Sequence, residues 1–281
     1  VIPTLQAAGF QLTFSIVEVA NALAGTIPAG KIEEVAADPN VDQVLYDGIF
    51  FEIYPLKVEC LKDTISQIGA DKAWAQGYEG QGVTVIIIDS GVQNNHPWLM
   101  RNGKSLVLEE YVVAPGANDY TQWHGTHCAG IIASQDSTYK GVAPRIKGFV
   151  DIVAFDSSGR AKLSWVMKAL DIAHKEAEQI QGPVVSTNSW GGPAVNTPEF
   201  NAVRKAALKL ADTIPVVFAA GNSGPGAGTI LCPGDADKPG NEIITVGAVD
   251  KSNNIAWFSS RGPDNWGSDH NEPDILSLIH I

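Results

Sequence analysis

Residues 83–88, Val-Thr-Val-Ile-Ile-Ile, are an almost unbroken apolar run rich in β-branched side chains, with Gly82 before it and Asp89-Ser90-Gly91 after it. Such a run does not alternate, so it reads as a strand buried on both faces of a parallel sheet. Parallel strands need crossover connections, which makes the chain α/β, a mostly parallel central sheet flanked by helices. Asp89 then stands at the carboxyl end of a central strand, where open α/β sheets place their sites. His124, 35 positions further on, opens a segment of small residues, 124–134, that can pack closely as a helix. An acid at a strand end can fix the tautomer of a histidine at a helix start and stabilise its charged form. The imidazole can then take a proton from a nucleophile.

Three phrases carry a resemblance. Asp89-Ser90-Gly91, His124-Gly125-Thr126-His127 and Ala219-Ala220-Gly221-Asn222-Ser223 occur in the chain order of the subtilisin-like serine peptidases, or subtilases, acid before histidine. The resemblance covers residues 63–275. It implies that Asp89 orients the base, that His124 is the base and that His127 packs internally. It also implies that Asn222 donates a side-chain hydrogen bond to the developing oxyanion. From its own neighbours Asn222 reads differently, as a turn residue with positive φ. Ser189-Trp190-Gly191-Gly192 matches the stretch whose backbone pairs with substrate and lines the pocket before the scissile bond, so Ser189, Trp190 and Gly191 are implied as substrate-binding. Backbone pairing grips many sequences. The substrates implied are therefore polypeptides, cut with broad specificity. Calcium is frequent in the family, but no carboxylate cluster in this chain can be assigned to it, and no cofactor is assigned.

Residues 1–54 read as a separate small α+β unit. Phe10, Leu12 and Phe14 alternate as in a strand within 10–19. A short helix fits 29–38 and ends at Asp38-Pro39-Asn40. Strands are expected at 41–46 and 49–54 about a turn at Asp47-Gly48. The phrase at 28–44 resembles the latter half of a subtilase propeptide, which aids folding and occupies the cleft as an inhibitor. Residues 55–69 are a junction, with any self-cleavage expected at 52–62. Residues 70–275 are the peptidase-like domain. Further strands are expected at 146–155, 183–188, 214–219 and 243–249, and helices at 161–181 and from Thr197-Pro198 to 212.

The family's Gly-Thr-Ser-x-Ala-x-Pro phrase is expected some tens of residues beyond Arg261, and it does not occur in these 281 residues. Residues 276–281 match nothing in the family and read as a non-native tail. The late serines Ser259, Ser260, Ser268 and Ser277 lack the small flanking residues that a nucleophile at a helix start requires. The chain as given is therefore expected to be inactive. The alternatives are a pseudopeptidase or peptide-binding module that keeps the cleft, and a cysteine hydrolase acting through Cys128. His96 and His174 read as structural, His174 on the apolar stripe of its helix. His124 and His127, at i and i+3, lack a third ligand at helical distance. Cys60, Cys128 and Cys232 leave either one disulfide or three unpaired thiols.

A net charge of −12 argues against nucleic acid and anionic membrane surfaces as partners. No apolar run approaches the length of a membrane span. The chain begins with Val1, so the N-terminus with any export signal is taken as missing. An extracellular location is what the family resemblance implies.

Overall fold

The computed structural model describes residues 2–52, 61–117, 123–236, 243–263 and 273–278. Residues 55–60 of the junction, Cys60 among them, as well as Ser268 and residues 118–122, lie outside them.

The N-terminal unit begins with helix α1 (Ile2–Ala7) and the antiparallel hairpin β1 (Gln11–Ile16) and β2 (Ala22–Thr26). A single 3-10 turn at Ala29–Lys31 leads into α2 (Ile32–Ala36), and β3 (Ile49–Glu52) follows. The expected strand at 41–46 is not formed. Val44 and Tyr46 there are exposed, so the β-favouring side chains have no sheet face to pack against.

After α3 (Leu61–Thr64) and α4 (Ala70–Ala75) the central strand β4 (Thr84–Asp89) begins. The hairpin β5 (Met100–Arg101) and β6 (Lys104–Ser105) precedes β7 (Val107–Val112), α5 (His124–Ala133) and β8 (Gly148–Val153). Next come β9 (Arg160–Lys162), α6 (Leu163–Gln179), β10 (Val184–Asn188), β11 (Trp190–Gly191) and α7 (Pro198–Ala211). The last described strands are β12 (Val216–Ala219), β13 (Ile244–Val249) and β14 (Ile275–Leu278). Thr197 stands at the N-cap of α7, with Pro198 in the first turn as expected, but its side chain caps no backbone N–H.

The main sheet is seven-stranded, in the order β14-β13-β12-β10-β4-β8-β7, and all its pairings are parallel. Strand β4 lies between β8 and β10, so the chain turns to opposite sides of it. That is a topological switch point, and its carboxyl end is where a crevice opens. The run Ile86, Ile87, Ile88 is at most 1% exposed because both faces are covered. Ile86 and Ile88 enter the core layer formed with α6 and α7, which includes Val166, Leu170 and Val203. Val85 and Ile87 enter the opposite layer with Ala129 and Ala133 of α5 and with Phe149. Burying each such aliphatic side chain stabilises by about 1.5–3 kcal/mol.

Within the α6–α7 layer, Arg204 of α7 is fully buried. It donates to both carboxylate oxygens of Asp235, at 2.9 and 2.5 Å, and to the Val195 carbonyl at 3.1 Å. The N-terminal hairpin packs on the outside of α6, where Ile16 and Val19 join the same core. Asp171 of α6 accepts from the backbone N–H groups of Val17, at 2.8 Å, and Glu18, at 2.5 Å. A second sheet has the order β11-β3-β9, with β3 antiparallel to both neighbours.

Candidate active site

Strand β4 delivers Asp89 and α5 begins at His124, as the spacing predicts. His124 Nδ1 lies 2.8 Å from Asp89 Oδ1 and 3.1 Å from Oδ2, with both side chains buried. Asp89 Oδ1 also accepts from the backbone N–H of Ser90, at 2.7 Å, and from its hydroxyl, at 3.1 Å.

The residues around the pair explain its motif. The Gly125 N–H donates to Ser90 Oγ at 3.2 Å, and the Gln93 N–H to Thr126 Oγ1 at 2.8 Å. These bonds tie the loop after β4 to the first turn of α5. A Cβ on Gly125 would sit 2.5 Å from the Gly91 carbonyl oxygen and 3.0 Å from Asp89 Oδ1, so only glycine lets the helix start this close. Val92 N–H donates to Asp151 Oδ2 at 2.7 Å, which fixes the far end of the loop.

Burial opposes both charges. For His124, the neighbouring Asp89 carboxylate outweighs burial and holds the imidazole well above its ordinary value. For Asp89, burial pushes upward, but the His124 charge and the bonds from His124 and Ser90 bring the carboxyl below its usual range. The buried pair therefore favours imidazolium and carboxylate. Asp89 engages Nδ1, which leaves Nε2 as the nitrogen able to exchange a proton with a reacting group.

Cys128, one turn along α5, has Sγ 3.9 Å from His124 Nδ1, the nitrogen already committed to Asp89. Burial pushes the thiol up, the reverse of an activated nucleophile. This geometry argues against the cysteine-hydrolase reading. Cys128 and Cys232 are free thiols. His127 is half-buried, edge-on to Trp123 at 5.6 Å, where burial and the His124 charge push it down. His96 is structural: its Nδ1 accepts from the Trp98 N–H at 3.2 Å.

Asn222 follows β12, two strands from β4 in the same sheet and at the same carboxyl edge. At ordinary strand spacing the two strand ends are about 10 Å apart. It is Gly221, with φ +111°, and not Asn222 that takes the left-handed backbone conformation. Ser189 links β10 to β11. Trp190 pairs in register with Glu52 and Gly191 with Phe51. A cavity of about 140 Å³ beside these residues is lined by Cys128, Asn188, Ser189 and Phe218 among others.

Two features of the cleft were not read from the sequence. One is β9, whose Arg160, Ala161 and Lys162 pair with Phe51, Phe50 and Ile49 to form the second wall. Its sequence signal is only the turn at Ser158-Gly159. The other is Glu52. Its N–H donates to the Gly159 carbonyl at 3.0 Å, and its Oε1 lies 3.7 Å from His124 Nδ1. Phe50 on the same strand is 1% exposed, against Trp190 at 6.1 Å and Phe200 at 5.2 Å between ring centroids. Its pocket is floored by Gly192, where a Cβ would come within 3.0 Å of the Phe50 ring.

The wholly parallel main sheet thus carries a buried Asp–His pair at its switch point, and strand β3 lies extended between the two short strands β9 and β11 beside it. Residues 80–277 match the Subtilase family, and the chain belongs to it. The chain is 34% identical over 249 residues to subtilisin E of Bacillus subtilis, covering 87% of this chain and 60% of that protein. It is 38% identical over 204 residues to subtilisin DY of Bacillus licheniformis, covering 71% and 68%. It is 30% identical over 212 residues to the major intracellular serine protease of Bacillus subtilis, covering 73% and 63%. The chain thus spans about three fifths of the length of several of the relatives it matches.

Proposed function

We propose that this chain supplies the acid, the base and the oxyanion donor of a serine endopeptidase. In its neutral form, with Nδ1–H held by Asp89, His124 takes the proton of a serine hydroxyl at Nε2 as the serine oxygen attacks the peptide carbonyl. Asp89 stabilises the resulting imidazolium. The Asn222 side-chain amide donates to the tetrahedral oxyanion, a contribution worth on the order of 10²–10³ in turnover, a figure that itself comes from a subtilisin. Collapse expels the amine, which leaves with the proton from His124, and water repeats the sequence on the acyl-enzyme. The observation that carries this reading is the buried 2.8 Å Asp89–His124 contact at the carboxyl end of β4.

The nucleophile belongs to the Gly-Thr-Ser-x-Ala-x-Pro phrase, which the 281 residues do not contain. Ser259 and Ser260 are fully buried and already employed: their hydroxyls accept from Ala248 N–H at 2.9 Å and Ser223 N–H at 3.0 Å. Without the phrase the chain is inactive; the reading of 276–281 as a non-native tail is not kept for residues 276–278, which pair with Gly247, Ala248 and Val249 of β13 in the main sheet.

Residues 1–54 act as an intramolecular propeptide. This is supported by β3, which fills the place of a substrate strand between β9 and β11 and sets the Glu52 carboxylate beside His124. Maturation then cuts within 52–62. Substrates are polypeptides with a large apolar side chain at the Phe50 position. Calcium is carried by family likeness alone. The same likeness suggests an extracellular enzyme, and no helix among the described residues is long and apolar enough to cross a membrane.

The test is to read the coding template past Ile275. The phrase is expected about 30–60 codons on, opening a helix. The longer chain should then hydrolyse peptides and lose that activity as His124→Ala. A continuation without the serine overturns catalysis and leaves a peptide-binding module.

A further inference from the structure

We propose that Glu18, His174 and Glu178 form a site for a divalent metal ion of the zinc class, at the seam between the N-terminal hairpin and α6. One ligand atom from each residue lies within 4.8 Å of the others. His174 and Glu178 are one turn apart on α6, so they share a face. Glu18 comes from the bend after β1, where its own N–H is held by Asp171 of the same helix. The two units therefore meet through both ends of this residue.

The second observation is His174 itself. It is 4% exposed, and its Nδ1 makes no hydrogen bond. Buried ring nitrogens ordinarily have a partner. Nε2 sits 3.2 Å from Thr213 Oγ1. If Nε2 donates there, the tautomer is fixed and the Nδ1 lone pair is free, the arrangement that metal-binding histidines take. Both glutamates are exposed, and among the described residues neither carboxylate is paired with a cation.

One imidazole and two carboxylates suit a borderline ion such as zinc, with water completing the shell. Metal–ligand bonds of about 2.1 Å put donor atoms about 3.5 Å apart in a tetrahedral site. Exposed glutamates can close that difference by rotation. Among the described residues the other cluster of potential ligands, Asp89, His124 and Cys128, already belongs to the cleft. On the propeptide reading, the ion would bolt the inhibitory unit to the domain it inhibits.

The experiment is a calorimetric titration of the metal-free 281-residue chain with Zn²⁺, with amide exchange read in parallel. One equivalent should bind, and exchange at Val17 and Glu18 should slow. Glu18→Gln and Glu178→Gln, both at exposed positions, should each weaken binding about tenfold or more. His174→Ala should abolish binding. Absence of saturable binding overturns the site. So does zinc that survives both Gln variants and is lost in Cys128→Ala, or zinc that leaves the two amides unchanged. Neither readout needs a serine or turnover, so the site and the peptidase reading stand or fall separately.

Discussion

Strand β3 and the β1–β2 hairpin both lie in the first 52 residues but are held by different means. In the cleft, β3 pairs on both edges and sinks Phe50 into an aromatic pocket. On α6, the hairpin packs Ile16 and Val19 and hangs two backbone N–H groups on one carboxylate, Asp171. The first contact uses main-chain groups that any extended peptide offers, so it suits a place that must later accept other chains. The second depends on one side chain and one bend, so it recognises only this unit. On the proposed propeptide reading, the unit would be specific at the helix and generic at the cleft.

Phe50→Ala should break the generic contact most severely, costing about 3–5 kcal/mol as a buried aromatic is lost. Faster amide exchange along β3 and β9 with the hairpin still protected would bear this out. Equal loosening of both would mean that the contacts are one cooperative unit. Asp171→Ala should cost about 2 kcal/mol through two lost charge-assisted bonds, seen as deprotection confined to Val17 and Glu18. Gly192→Ala should cost about 1–3 kcal/mol by overpacking the pocket against Phe50 and Phe200, read as a lower unfolding midpoint.

The Asp89–His124 pair sharpens the comparison through pH. His124 is raised in the fold, so its contribution is complete below its unfolded value of about 6.5 and is lost as pH climbs through the folded one. Asp89 is depressed, so its contribution is present above about 3.8 and is lost as pH falls through the folded one. Between about pH 4 and 6.5 the pair's contribution should be flat, and NMR should find the imidazole still protonated above pH 6.5. An imidazole that titrates at its ordinary value would contradict the pairing. Glu34→Gln, at an exposed ion pair with Lys31, should change the unfolding free energy by less than about 0.5 kcal/mol and serves as the control.

The parts of this fold that announce themselves in sequence are those whose burial is decided locally. Residues 83–88 could only be a doubly covered strand, and the small residues of 124–134 mark a helix that can pack closely. Strand β9 did not announce itself, and β11 was legible only through the family resemblance at Ser189-Trp190-Gly191. They are three and two residues long, and exist because β3 lies between them. Residues 41–46 failed in the opposite sense: their composition favours a strand, but no edge receives them. His174 was correctly read as a buried helix histidine. What the helical stripe could not reveal is that a glutamate more than 150 residues earlier is folded against it.

Strand β7 borders the described sheet on the side away from β14, with Leu108 and Val112 exposed along it. An uncovered strand of this kind is a template on which a second molecule can add. Glu109 and Glu110 stand between those two side chains and repel a like copy, so they act as gatekeepers. Replacing both carboxylates by glutamine is therefore expected to lower the colloidal stability of the folded protein, with light scattering rising while the fold is kept.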